Sequence, residues 1–340
     1  MKTKTIFIIL LIPLLTAGCE DVFVKPGDSN KNMEDFESIW QRVNTTYPFL
    51  MFKQINWDSI YPVYRARVEA ASGDEFYLVM GDLLAELKDG HVYYQTPGGG
   101  EVYPYYPQRH FKDRHAYSPF VVRKYFDKEL IVTESTSAEY QILPENIGYV
   151  FLADFHEDYL IREFPGILDY LGQTKGLILD IRQKRGGTLQ NVVAVVSRFI
   201  SAPMEWPKLF SLGVLIEIDP IQPQGPFTYT NPVVVLINGS TFSAGELTTE
   251  LLKQIPNVTV VGDTTGGGGG ISANNSPETL PEYKLPSGKV ISSPSGYCER
   301  YDGLPWEWNG IAPDIRVVQT EDDIRKNRDL QLEYAIGLLK

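Results

Sequence analysis

One serine stands where the chain could make it a nucleophile. Ser243 lies in Asn238-Gly-Ser-Thr-Phe-Ser-Ala-Gly-Glu246, after the apolar run Pro232-Val-Val-Val-Leu-Ile237 and at the start of a helical stretch near 244–254. Two other loops also follow apolar runs: Arg185-Gly186-Gly187 after 176–181, and the glycine run Gly266 to Gly270 after 257–262. In a parallel α/β sheet such loops gather at the carboxyl ends of the strands, where ligands bind. Backbone N–H groups at a glycine turn and at a helix N-terminus are the donors a developing oxyanion needs. Taken alone, a serine at a helix start commonly does no more than cap it.

A serine nucleophile needs a base, and the chain offers His91, His110, His115 and His156. His91 closes Leu87-Lys-Asp-Gly-His91, directly after a helix stop, where a fixed elbow could present its ring. The other three read as exposed or structural: His110 and His115 in a polar aromatic loop, His156 among the acidic residues 154–158. Familiar alternatives fail locally. Thr241 occupies the first glycine position of Gly-x-Ser-x-Gly, and no Lys-Ser/Thr follows the glycine run. His110 and His115 lack the spacing and the Glu of a helical zinc site.

The elements that must hold these loops can be read from periodicity. Phe36, Ile39, Trp40 and Val43 fall at helical spacing, as do Phe76, Val79, Met80, Leu83, Leu84 and Leu87. Ser72-Gly-Asp-Glu75 has the form of a capping box, and Gly90 suits the left-handed position after a helix. Residues 35–91 therefore read as an N-terminal helical domain. Residues 92–146 read as a β-rich connector, with strand-like stretches near 119–123 and 129–134. From 147 to 320 continuous Val/Ile/Leu runs at 148–152, 176–181, 232–237 and 257–262 alternate with helical stretches. That pattern predicts an α/β domain with a mainly parallel sheet. A final helix is expected over 321–340.

The chain has 340 residues, 43% hydrophobic and 22% charged, which suits a folded protein. Its net charge of −12 repels phosphate backbones and argues against nucleic acid as a partner. Two cysteines, Cys19 and Cys298, exclude a disulfide scaffold. Lys2 and Lys4, an apolar run from Ile6 to Leu15, and small residues before Cys19 read as a secretory signal. Leu15-Thr-Ala-Gly-Cys19 resembles a bacterial lipobox, which implies that Cys19 is lipidated. Residues 1–18 would be the signal peptide and 19–34 a lipidated, flexible tether, placing the protein on a membrane of the bacterial cell envelope, periplasmic or outer. Cys298 would then be unpaired and buried.

In order, these motifs resemble the tail-specific (C-terminal processing) serine protease family, and more closely its tricorn-core-like branch. The residues are Leu83-Leu-Ala-Glu-Leu-Lys-Asp-Gly-His91, Asp180-Ile-Arg-Gln-Lys-Arg-Gly-Gly187, Asn238 to Glu246, Val261-Gly-Asp-Thr-Thr-Gly266, Leu285-Pro-Ser-Gly288, Glu307-Trp-Asn-Gly-Ile-Ala-Pro-Asp314 and Asp329-Leu-Gln-Leu-Glu-Tyr-Ala335. The resemblance implies a crotonase-like core of β-α units. It implies Ser243 as nucleophile and His91 as general base, with Glu307 steadying the histidine. The N–H groups of Ala244 and of Gly187 or Gly186 would form the oxyanion hole. No metal or cofactor is implied, and the substrate would be a peptide or unfolded protein. Two departures stand out. Lys253 and Lys284 both miss the glycine loop in which many relatives carry a catalytic lysine. Gly90 stands where the tricorn core has a serine before the histidine, which makes Asp89 a second candidate to orient His91. The 56 residues between His91 and Gly148 leave no room for the PDZ domain of many relatives. A different class of reading is a non-catalytic lipoprotein whose Tyr93, Tyr94, Tyr103, Tyr105, Tyr106, Phe111 and Tyr117 form a peptide- or glycan-binding platform.

Overall fold

Five apolar strands run in parallel, each beside the one before it in the chain: Ile147–Leu152, Gly176–Asp180, Val233–Ile237, Val258–Gly262 and Ile315–Arg316. Two antiparallel strands, Ala138–Leu143 and Ile131–Val132, complete a seven-stranded sheet at the Ile147 edge. The computed structural model describes residues 26–96, 98–153, 155, 158–183, 186–271 and 282–340. Its four central strands, from Ile147–Leu152 to Val258–Gly262, are largely buried on both faces, which is why they read as unbroken hydrophobic runs. Along each strand alternate residues serve opposite faces. Leu177, Leu179, Val233, Val235 and Ile237 pack under the helices Tyr159–Leu171, Leu189–Val196 and Ala244–Leu252. Ile178, Val234, Leu236 and Val261 meet Leu332, Ala335, Ile336 and Leu339 of the C-terminal helix on the other face.

The N-terminal helices Pro26–Thr46, Trp57–Ala70 and Glu75–Ala85 have their own core, built on Phe36, Ile39, Trp40, Trp57, Phe76 and Leu84. Trp40 and Trp57 stack with ring centroids 4.4 Å apart. Leu285 and Ile291, from far along the chain, join this core. They arrive on a four-stranded antiparallel sheet of Glu282–Lys284, Val290–Ser292, Tyr93–Gln95 and Glu101–Val102. Buried Asp35 anchors the turn between them, accepting from Ser287 N–H at 2.9 Å and Lys289 Nζ at 3.0 Å.

The structure corrects five local expectations. The first helix begins at Pro26, so 26–34 is not a flexible tether; Asn32 and Asp35 are already buried on it. Pro119–Val122 is a short helix rather than a strand: Ser118 and Pro119 supply a helix start that outweighs two valines. The last helix is two, Glu321–Arg325 and Leu330–Leu339, because Asn327 turns left-handed (φ 58°) and Asp329 recaps the chain through Leu332 N–H. After Glu75–Ala85 it is Lys88 (φ 47°), not Gly90, that takes the left-handed position. The connector is mixed rather than β-rich, since the polar aromatic loop forms the helix Gln108–His115.

One buried charge network ties the C-terminus to the sheet. Arg182 donates to Asp180 through Nε (3.0 Å) and Nη2 (2.7 Å), and through Nη1 to Asp329 (2.8 Å). Tyr149 hydroxyl donates to the same Asp180 at 2.9 Å. Each carboxylate is hydrogen-bonded, the condition for burying ions at acceptable cost.

Candidate active site

Ser243 sits at the junction between Val233–Ile237 and the helix Ala244–Leu252, with φ 54° and ψ −119°. A non-glycine residue in that region is strained, and strain of this kind persists only where neighbours enforce it. Here Glu246 enforces it. Its buried carboxylate accepts the N–H of Ser243 (3.0 Å), Gly267 (2.8 Å) and Gly268 (2.7 Å) and the hydroxyl of Thr265 (2.5 Å). One side chain thus holds the serine elbow and the glycine run together. Burial pushes its pKa up to about 7, against the pull of those donors.

Two further loops close on the elbow. A Cβ on Gly186 would lie 3.0 Å from Ser243 Cβ and 3.4 Å from its Oγ, so this loop touches the serine directly. Gly187 has φ 146°, and a Cβ there would fall 2.1 Å from the Phe155 carbonyl; only glycine fits. The bond to that carbonyl comes from Thr188 N–H at 2.8 Å. At Gly268 a Cβ would overlap the Phe242 ring at 2.1 Å. Beneath the elbow, the helix Gln108–His115 acts as a buttress: Asp113 accepts Gly239 N–H at 2.6 Å, and the His110 carbonyl accepts Ser240 hydroxyl at 3.2 Å.

His91 is buried next to Phe242, the residue before Ser243, with ring centroids 4.6 Å apart. Gly90 is needed for this approach, since a Cβ there would meet the Phe242 ring at 2.8 Å. Neither imidazole nitrogen has a hydrogen-bond partner among the described residues, so the Ser243–His91 bond is not made in this structure. Catalytic hydrogen bonds often close only when substrate is bound. The backbone N–H of His91 donates to Asp89 Oδ1 at 2.8 Å, and Nδ1 lies 3.7 Å from the same oxygen. Burial lowers the imidazole pKa, with Asp89 opposing.

Glu307 and Asp89 both stand beside this histidine, with donor atoms of all three within 4.8 Å. Such a trio could suit a cation, but Lys53 already supplies one. Its ammonium lies 2.6 Å from Glu307 and 3.5 Å from Asp89, fully buried. Tyr47 hydroxyl donates to Asp89 at 2.8 Å, and Gly269 N–H to Glu307 at 2.8 Å. Burial, and then the Asp89 charge, push Glu307 up to about 8. Burial works against the Asp89 carboxylate too, yet Lys53, His91 and Tyr47 hold it below the usual range.

The structure therefore brings together Ser243, Gly186, Gly187 and Ala244 at one elbow, and His91, Asp89 and Glu307 beside it. His110 is buried and stacks on Tyr106, and His115 is exposed. Cys19, His156 and Arg185 lie outside the described residues. Cys298 is buried and unpaired, its thiol pushed up by burial. The described members of the aromatic set do not present one face: Tyr94 is in the helical core, Tyr93 is buried and bonds Glu282, and Tyr117 is half-buried beneath Arg182. Sequence reasoning missed Lys53, for which no local signal exists, and the role of Glu246, which its place three residues after Ser243 could have revealed.

Residues 146–317 match peptidase family S41, and residues 28–85 match the tricorn protease C1 domain. Tricorn protease homolog 1 of Streptomyces coelicolor is 31% identical over 176 residues, 48% of this chain and 14% of that protein. The carboxy-terminal processing protease CtpA of Bacillus subtilis is 25% identical over 174 residues, 51% of this chain and 35% of that protein. The chain thus spans about a third or less of the length of these two relatives. The crystal structure of a candidate peptidase from Parabacteroides merdae superposes with a TM-score of 0.76 at 25% identity, covering 91% of this chain and 96% of that one.

Proposed function

The chain belongs to peptidase family S41, and from that premise we propose that it is a serine peptidase using Ser243 as nucleophile and His91 as general base. The observation that carries the reading is the strained elbow: Ser243 at φ 54° on a helix N-terminus, with Gly186 against it and a buried, unpartnered imidazole beside the preceding residue. The hydroxyl attacks the carbonyl of a bound peptide as His91 takes its proton. The oxyanion then faces the N–H groups of Gly187 and Ala244, each such donor worth about 10²–10³ in rate. His91 returns the proton to the leaving amine, and water repeats the path to free the acyl group. Asp89, its carboxylate held below the usual range, offers the imidazolium its balancing charge, and Glu307 joins the same network through Lys53.

Turnover of an unfolded polypeptide, followed against pH, tests this. With imidazole basicity lowered by burial, kcat/KM is expected to hold its plateau below pH 6.5, the ordinary histidine value, and to fall only on further acidification. Retention of peptide or glycan without cleavage at any pH would replace the peptidase by a binding protein on the same scaffold.

We also propose that Cys19 carries lipid and tethers the enzyme to a membrane of the bacterial cell envelope. The support is the basic, apolar and small-residue order of 1–19. Among the described residues no helix is long and apolar enough to cross a membrane. Metabolic labelling with an alkyne fatty acid should mark the wild type and not Cys19→Ser; equal labelling of both removes the anchor.

A further inference from the structure

Two carboxylates and a histidine buried together need a counter-charge, and the helical N-terminal region delivers it. Lys53 follows the helix Pro26–Thr46, and its ammonium makes the 2.6 Å contact with Glu307 and the 3.5 Å contact with Asp89. Tyr47 hydroxyl (2.8 Å) and the carbonyls of Leu87 (3.0 Å) and Lys88 (3.1 Å) also lie within hydrogen-bond reach and share its three hydrogens with Glu307. Those carbonyls belong to the turn that ends in His91. Tyr47 in turn donates to Asp89, whose other oxygen receives the His91 N–H. The lysine thus connects Asp89, Glu307 and Tyr47, and it also clamps the turn itself.

We propose that Lys53 is a positioning residue for the Ser243–His91 centre, locking Asp89 and Glu307 in place and setting how readily His91 takes a proton. The inference rests on the peptidase reading for its purpose, though not for its chemistry. The titratable groups around the imidazole are Asp89 on its own turn, Lys53 and Tyr47 from the helical region, Glu307 from the later loop, and Tyr105 beside the cluster. Among the described residues only Lys53 brings positive charge close to the ring. Without it, the Asp89 carboxylate acts on His91 unopposed and stabilises the imidazolium.

The test follows the His91 imidazole by NMR titration in the intact chain. Lys53→Met should raise its pKa by about one unit, and the acid limb of kcat/KM should move up with it. Lys53→Gln keeps amide donors for Tyr47 and Leu87 while dropping the charge, and carries the same expectation if the Met variant does not fold. Lys53→Arg, which keeps the charge, should leave His91 near its wild-type titration. An unchanged His91 in a folded Met or Gln variant overturns the proposal. Because the titration needs no turnover, a shifted imidazole in an inactive protein would count against the peptidase reading alone.

Discussion

Ser243→Ala is expected to lower peptide turnover by about 10⁴ to 10⁶ and to abolish labelling by a serine-directed phosphonate. The residual rate would come from the oxyanion donors and from substrate binding, which the substitution leaves in place. Folding should survive, and thermal unfolding should shift little. Ser243 contributes one hydroxyl at the surface of its elbow, while its N–H still reaches Glu246. Alanine bears the left-handed backbone no better than serine does, so the strain is retained. Phosphonate labelling of the alanine variant at the wild-type rate would sink the assignment of the nucleophile.

Glu246→Ala should act on stability and activity together. It removes the shared acceptor of Ser243, Gly267 and Gly268 N–H and of Thr265 hydroxyl. Each buried donor left unpaired costs about 1–3 kcal/mol. Relief from burying a carboxylate, the burial that carries its pKa to about 7, offsets part of this. The net loss is expected on the order of 4 kcal/mol by urea denaturation. Turnover should collapse in the fraction that still folds, because the elbow and the glycine run lose their common tie. Glu246→Gln should fall between, since one amide oxygen replaces two acceptors. Wild-type stability in the alanine variant would mean that the four donors find other partners.

The site was partly legible before the fold was known. The elbow, the paired glycines and the glycine run each follow a strand, and parallel sheets place such loops together, so Ser243, Gly186 and Gly187 could be grouped without coordinates. His91 is legible as the histidine closing a helix stop; that turn exists, although Lys88 makes it. Gly90 suggests a conformational role from its place in the sequence, whereas its need is steric and set by Phe242. Pro119–Val122 misled because valines favour strands on average, while a proline after a serine favours a helix start in this particular place. The break at Asn327 was hidden because both halves of the final helix keep helical periodicity.

By itself the sequence determined the parallel sheet, the order of its loops and the serine elbow. These rest on local matters: continuous burial of Val, Ile and Leu, and the turn chemistry of glycine beside a helix start. Only the tertiary structure decided that a lysine balances the acidic residues beside His91. Glu307, Asp89 and Lys53 come from three distant segments, and Lys53 meets them only when the helical region packs its core with Leu285 and Ile291. A pairing of that kind is driven by the cost of burying an unbalanced charge. That cost does not exist until the chain has folded around it, so it leaves no period or motif to read.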